Sequence, residues 1–164
     1  MIEINNTTAY PLDLKKTKFV IEKFLKSYHH RASDFSLAVV GANRMRYLNR
    51  EFRGLDKTTD VLSFPAAALP GAIGKESGLD RFLGEVIINI AEVKKLSQYR
   101  AMFKEIGRDF PGKNTPLGRA SDRQYLFYFL LVHGLLHLVG YDDVKDKDRQ
   151  EMLILGRDFL DKML

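Results

Sequence analysis

The chain has 164 residues, a length typical of one domain with its own hydrophobic core. Apolar residues make up 45% and charged residues 29%, which excludes a disordered or fibrous protein. The absence of cysteine excludes a disulfide framework and a thiolate metal cluster, and favours the reducing cytoplasm. The net charge of +5 suits a polyanionic partner such as nucleic acid.

The sequence predicts neither a targeting signal nor a membrane segment. Residues Met1 to Asn5 contain neither the positively charged start nor the apolar segment of a signal peptide. The most apolar stretch, Tyr125 to Val139, is shorter than the roughly 20 residues of a membrane span and contains two histidines. We therefore expect a cytoplasmic protein that does not contact a membrane.

The first part of the chain predicts strands and helices in alternation. Apolar residues recur at helical spacing among lysines from Asp13 to Tyr28, which indicates an amphipathic helix. A second helix is predicted from Ala42 to Phe52. The predicted strands are Ile2 to Asn5, Phe35 to Val40 and Val61 to Phe64.

The second part contains two long predicted loops, Ala66 to Asp80 and Gly107 to Ser121, both rich in glycine and proline. The other predicted elements are a buried strand from Gly84 to Ile90, a helix that continues to about Ile106, and helices from Asp122 to Val139 and Asp146 to Met163. This mixture predicts a single α+β domain over residues 1–164, with a small mixed sheet of about four strands surrounded by about five helices.

Two histidines in the apolar helix suggest a metal site. His133 and His137 are four residues apart, so they project from one helix face and can reach one ion. Gly140 can stop the helix and turn an acid, Asp142 or Asp143, back toward that ion. Three protein ligands leave a position open for water, as in catalytic sites. A pair of core histidines with satisfied hydrogen bonds is the alternative, and the glycine and acids that follow favour the metal.

A cluster of basic residues is the candidate surface for nucleic acid. Its members are Arg44, Arg46, Arg50 and Lys57. Arg53 precedes the strand at Val61 and carries a fork-shaped guanidinium that can donate two parallel hydrogen bonds to a phosphate. Taken alone this is a weak signal, because most exposed arginines lie on the surface without binding a ligand.

Together these segments resemble the bacterial YbeY family of metal-dependent endoribonucleases, which act in ribosomal RNA maturation. The family motif His-Gly-x-Leu-His-Leu-x-Gly-Tyr-Asp-His is matched from His133 to Asp142. A second family signature contains Leu-Asn, an arginine and Thr-Asp-Val-Leu-Ser-Phe-Pro. It is matched here by Leu48-Asn49, Arg53 and Thr59 to Pro65. The resemblance covers nearly the whole chain.

The resemblance implies a single-strand-preferring endoribonuclease that acts in 16S rRNA 3′ end processing and in ribosome quality control. Its partners would be ribosomal RNA and the small ribosomal subunit. It implies one divalent metal ion, with zinc as the first candidate, and a catalytic role for Arg53 at the phosphate. It also implies an α+β fold, in agreement with the predicted elements.

The chain departs from the family at the third ligand, where Asp143 replaces a histidine. A carboxylate is an acceptable zinc ligand, although it favours harder ions such as manganese more than an imidazole does. The family spacing makes Asp143 the expected ligand. Asp142 is then expected to orient a histidine or fix the turn. The sequence leaves open whether Asp142 is the ligand instead, and whether metal-bound water or the 2′-hydroxyl of the RNA attacks.

Two other functions are compatible with parts of the sequence. A zinc peptidase would carry His-Glu-x-x-His, but Gly134 stands where the glutamate base belongs, which disfavours peptidase activity. An RNA- or ribosome-binding factor with a weakened metal site is the alternative that is not an enzyme. Metal content and activity on RNA distinguish these functions.

Overall fold

The chain alternates strands and helices around one sheet. The computed structural model describes residues 1–66, 81–107 and 122–163, so nearly all of both predicted loops lies outside the described residues. The strands are β1 (Ile2–Asn6), β2 (Asp34–Val40), β3 (Val61–Pro65) and β4 (Phe82–Asn89). The helices are α1 (Leu14–Ser27), α2 (Ala42–Arg53), α3 (Ile90–Val93), α4 (Leu96–Glu105), α5 (Asp122–Leu138) and α6 (Asp146–Met163).

The four described strands form a mixed sheet in the order β1-β2-β4-β3. β1 pairs with β2 and β2 with β4 in parallel, with Leu37 opposite Val86 in the second pair. β3 is antiparallel to β4, with Val61 opposite Ile88. The predicted α+β class with a small mixed sheet is confirmed.

Helix α5 forms the centre of the main hydrophobic core. From Tyr125 to Leu138 every residue is buried except His133 and His137, which are partly exposed. A helix that is apolar on all sides needs neighbours on all sides. α5 meets them in β3 and β4 of the sheet and in α1 and α6. The two histidines thus mark the one strip of this stretch that reaches the surface.

Helix α2 covers part of the opposite face of the sheet. Its buried residues Met45 and Leu48 pack with Val40, Leu62 and Ile87 in a second, smaller cluster. Asn49 is also buried, and most of the other α2 residues are exposed, including four arginines and the aromatic residues Tyr47 and Phe52. The sheet therefore separates the α5 side from the α2 side.

The helix predicted after β4 is in fact two helices, α3 and α4. The side chain of Asn89 caps α3 by accepting a hydrogen bond from the Ala91 backbone N–H, and α3 ends after one turn. The prediction missed the break because Val93 is buried before it and Leu96 packs on the core after it. Apolar spacing therefore continues across the break.

None of the helices described is both long and apolar enough to cross a bilayer.

Candidate active site

The side chains of His133, His137 and Asp143 converge at the surface end of α5. The Nε2 atoms of His133 and His137 lie 3.3 and 3.7 Å from Oδ2 of Asp143. Two atoms bound to one zinc ion at roughly 2.0–2.2 Å lie at most about 4.4 Å apart, so both distances suit a shared ion. Among the described residues, these three form the group of histidines and acids that could hold a metal.

The end of α5 turns the chain back toward the histidines. The Gly140 N–H donates to the His137 carbonyl at 3.1 Å, and the Tyr141 N–H donates to the Leu136 carbonyl at 3.0 Å. This pair of bonds is the Schellman motif, which needs a positive φ at its glycine. Gly140 has φ +97°, so the predicted helix stop is confirmed.

The same turn orients His137. Its Nδ1 lies 3.1 Å from the carbonyl oxygen of Tyr141. A carbonyl can only accept, so Nδ1 carries the proton and Nε2 keeps its lone pair on the side of Asp143. The backbone that stops the helix therefore also sets the tautomer that a metal ligand needs.

Asp142 holds the turn. Its Oδ1 accepts hydrogen bonds from the backbone N–H groups of Asp143 at 2.7 Å and Val144 at 3.3 Å. The carboxylate of Asp142 is thereby committed to the loop, and the carboxylate of Asp143 is the one that faces the histidines. This geometry agrees with the division of roles expected from the sequence, while ligation itself stays a prediction.

The electrostatics of His137 and Asp143 favour the protonation states in which these two groups bind metal. Burial, together with the neighbouring His133, lowers the pKa of His137 below its usual 6.5. A hydrogen bond with His133 lowers the pKa of Asp143 against the opposing effect of burial. A neutral imidazole and an ionised carboxylate at neutral pH are what a divalent ion requires. Two histidines and one carboxylate are also a donor set of catalytic zinc sites, so these residues fit the ion.

The three side chains line a cleft of about 650 Å³. One wall is formed by Thr59 to Pro65, which comprises β3 and the two residues before it. Arg53, at the end of α2, lines the same cleft, as its predicted catalytic role requires. Within the described part of the chain, Arg53 has no hydrogen-bond or ion-pair partner, so its guanidinium is available to a phosphate.

The predicted RNA-binding residues lie outside this cleft. Arg44, Arg46, Arg50 and Lys57 are all exposed, on α2 or in the loop after it. Arg46 donates two hydrogen bonds, of 2.9 and 2.8 Å, to the carboxylate of Asp56, so its guanidinium is already engaged. The guanidinium carbons of Arg44 and Arg50 lie 5.1 and 5.7 Å from the centre of the Tyr47 ring.

Two further polar residues line the cleft, and sequence reasoning missed one of them, Arg149. Arg149 on α6 lines it as a second cation, and its nearest carboxylate, that of Glu105, is 3.9 Å away. The side chain of Asp60 accepts hydrogen bonds from Tyr99 Oη at 3.0 Å and from the Val61 N–H at 2.9 Å. Asp60 therefore fixes the start of β3. One indication in the sequence that Arg149 lies near the site is its position six residues after Asp143.

Gly134 faces the sheet and not the cleft. A Cβ atom there would lie 2.7 Å from Cγ1 of Val86 and 3.1 Å from Oγ of Ser63. The glutamate base of a zinc peptidase would therefore be directed into the core. Peptidase chemistry is therefore disfavoured for a steric reason as well as for the chemical reason that glycine cannot act as a base.

Comparisons with known proteins identify related sequences. The family model described as endoribonuclease YbeY matches residues 3–107 and 117–164. The endoribonuclease YbeY of Leptospira interrogans (serogroup Icterohaemorrhagiae serovar Lai) is 34% identical over 145 residues, which cover 82% of this chain and 89% of that protein. That of Sulfurihydrogenibium sp. (strain YO3AOP1) is 33% identical over 161 residues, covering 96% and 90%.

A solved structure supports the fold. The solution structure of TM1509 from Thermotoga maritima aligns with a TM-score of 0.57 and 23% identity, and the alignment covers 99% of this chain and 88% of that one. At this identity the likeness concerns the fold alone. The family assignment instead follows from the match over most of the sequence: the chain belongs to the endoribonuclease YbeY family.

Proposed function

We propose that this protein is a metal-dependent endoribonuclease that prefers single strands and matures ribosomal RNA, including the 3′ end of 16S rRNA. Ribosome quality control in the cytoplasm and association with the small ribosomal subunit are part of the proposal. One observation carries it: His133, His137 and Asp143, which could hold a metal ion, converge in a cleft that also contains Arg53, an arginine with no partner among the described residues. Membership of the family supports the ribonuclease activity.

His133, His137 and Asp143 would hold one divalent ion, which we propose to be zinc. When bound, such an ion supplies Lewis acidity at a phosphate oxygen and lowers the pKa of water. The carboxylate of Asp143 weakens this Lewis acidity relative to a third imidazole and makes manganese a stronger competitor. The hydrogen bond from His137 to Tyr141 keeps Nε2 of His137 on the side of Asp143, as a metal ligand would require.

The arginines of the cleft would bind the RNA backbone. Arg53 can grip a phosphate with two parallel hydrogen bonds and stabilise negative charge that develops there. Arg149 adds a second positive charge on the α6 side of the same cleft. Contacts of this kind are largely independent of sequence and weaken as salt is raised.

The test combines metal analysis with RNA cleavage on the same purified samples. The variants are Asp143→Ala and, as a matched control, Glu22→Ala, which removes one exposed carboxylate from α1. We expect Asp143→Ala to lose metal and cleavage, and Glu22→Ala to keep both. A wild-type protein that holds metal and binds RNA without cutting it would refute the enzyme and leave an RNA-binding factor.

A further inference from the structure

A second depression lies on the α2 side of the sheet. It encloses about 920 Å³ between α2 and strands β1, β2 and β4, and its floor includes Ala38, Val40 and Ile87. Three aromatic residues line it, namely Tyr47 and Phe52 from α2 and Phe64 from β3. We call this depression the aromatic groove. The proposed cleavage mechanism makes no use of it.

The rings of the aromatic groove are unusually exposed. Phe52 is 63% exposed and Tyr47 is 44% exposed. Phe52 packs edge-on against Phe64 with ring centres 5.0 Å apart, so both rings keep surface available to a third flat partner. Grouped aromatic exposure of this kind marks a binding surface.

The charges around the groove indicate which part of a ligand enters it. Arg44 and Arg50, beside Tyr47, place positive charge at the rim on α2. Two carboxylates also line the groove. Glu51 pairs with Arg50 at 3.4 Å, and Glu85 accepts a hydrogen bond from Ser36 Oγ at 3.1 Å. Carboxylates repel phosphates, so we expect phosphates at the arginine rim and uncharged, flat groups inside.

The groove and the metal cleft lie on opposite faces of the sheet and share one lining residue at its edge. Phe64 lines both, and Phe52 of the groove directly precedes Arg53 of the cleft. The boundary between them is β3, the strand at one edge of the described sheet. A polymer whose phosphate meets Arg53 can therefore extend past β3 to the rings.

We propose that the aromatic groove binds unpaired bases of the RNA strand whose phosphate lies in the metal cleft. Bases stack on Tyr47, Phe52 and Phe64, while Arg44 and Arg50 contact the flanking phosphates. Stacking accepts any base but requires it to be unpaired, so the groove gives the enzyme its preference for single strands. This inference rests on the proposed ribonuclease function.

The test measures binding and not cleavage. Fluorescence anisotropy reports the affinity of the full chain for a labelled 2′-O-methyl oligouridylate, and for the same strand with its bases removed. The variants are Tyr47→Ala and Phe52→Ala. The matched control is Phe19→Ala on α1, a ring that is 43% exposed and has Lys23 Nζ 5.2 Å from its centre.

We expect each groove variant to bind the base-containing strand about 5- to 150-fold more weakly, from a stacking energy of about 1–3 kcal/mol per base. Affinity for the abasic strand and the salt dependence should change little, because the phosphate contacts remain. Phe19→Ala should match the wild type, and Tyr47→Phe should retain binding because it keeps a ring. Tyr47→Phe also separates loss of stacking from misfolding.

Unchanged affinity in both alanine variants would overturn the proposal and leave the groove as a surface for an apolar protein segment. Equal loss on the base-containing and abasic strands would overturn it too, because the rings would then act through the backbone. A wild type that binds RNA but does not cut it would refute the proposed ribonuclease and leave this binding result intact.

Discussion

Replacing Gly134 by alanine tests how closely α5 lies against the sheet. The added methyl carbon would lie 2.7 and 3.0 Å from the two γ-carbons of Val86 and 3.1 Å from Oγ of Ser63. Val86 is fully buried, and β4 is paired on both sides. Its branched side chain has little freedom to rotate away, so the helix or the strand has to shift.

The size of the effect follows from two opposing contributions. Overpacking a close-packed core costs about 1–3 kcal/mol, and the short contact with a stiff neighbour places this case near the upper end. Replacing a glycine inside a helix returns up to about 1 kcal/mol. We therefore expect Gly134→Ala to lower the free energy of unfolding by about 1–2 kcal/mol. The corresponding fall in Tm is about 2–8 °C for a chain of this size.

Gly156→Ala is the matched control, because Gly156 is also buried and lies within a helix. A Cβ atom there would be 3.4 Å from the Phe129 ring, an ordinary van der Waals contact. We expect this variant to be as stable as the wild type or up to about 1 kcal/mol more stable. Urea unfolding of the metal-free chain, with unchanged m-values, measures both.

A double-mutant cycle with Val86→Ala identifies the responsible contact. If Val86 causes the loss, Gly134→Ala should cost less in the Val86→Ala background, with a coupling of about 1–2 kcal/mol. Equal stabilities of Gly134→Ala and Gly156→Ala would refute the reasoning. So would strictly additive costs in the cycle.

Four further predictions concern the site. His137→Ala should lose bound metal and keep the fold, and wild-type stoichiometry by elemental analysis would contradict this. Asp143→His, which restores the family's ligand, should keep or raise zinc affinity in a competition titration; if neither histidine nor alanine at this position alters that affinity, Asp143 is not a ligand. Arg53→Lys should lose most RNA cleavage with unchanged metal content and Tm, because lysine keeps the charge but not the fork; wild-type rates would remove Arg53 from the mechanism. In the metal-free chain the pKa of His137 should lie below 6.5, so the stability that this group contributes is present above pH 6.5 and is lost as pH falls through the lowered pKa; an NMR titration with a midpoint at or above 6.5 would contradict this.

The sequence predicted local structure well, because local structure depends on spacing that can be read directly. The apolar spacing predicted α5, and Gly140 predicted its end and the return of the chain toward His133. His137 and Asp143 then converge because they follow one helix and one turn. The candidate metal site was predictable because all its parts are close in sequence.

Features that depend on which faces meet could not be predicted. The pairing of Arg46 with Asp56 depends on how the loop folds back along α2, so the sequence presented Arg46 as a free cation. The aromatic groove requires α2 to pack on the sheet beside β3, which brings Phe52 to Phe64. The contact of Tyr47 with arginines three residues before and after it was readable, because residues three apart are neighbours on a helix.

The metal site is formed by one short segment of the chain, whereas the substrate site needs parts of the chain that are far apart in sequence. The three donors come from the eleven residues from His133 to Asp143, whereas Arg53 is 80 residues before His133. An ion that binds this short segment protects chiefly the end of α5 and its turn against local opening. We therefore expect zinc to slow amide hydrogen exchange in this segment more than in β1 and β2. A chain whose sheet has opened could still carry metal, so metal content alone does not report that the whole molecule is assembled, whereas RNA cleavage does.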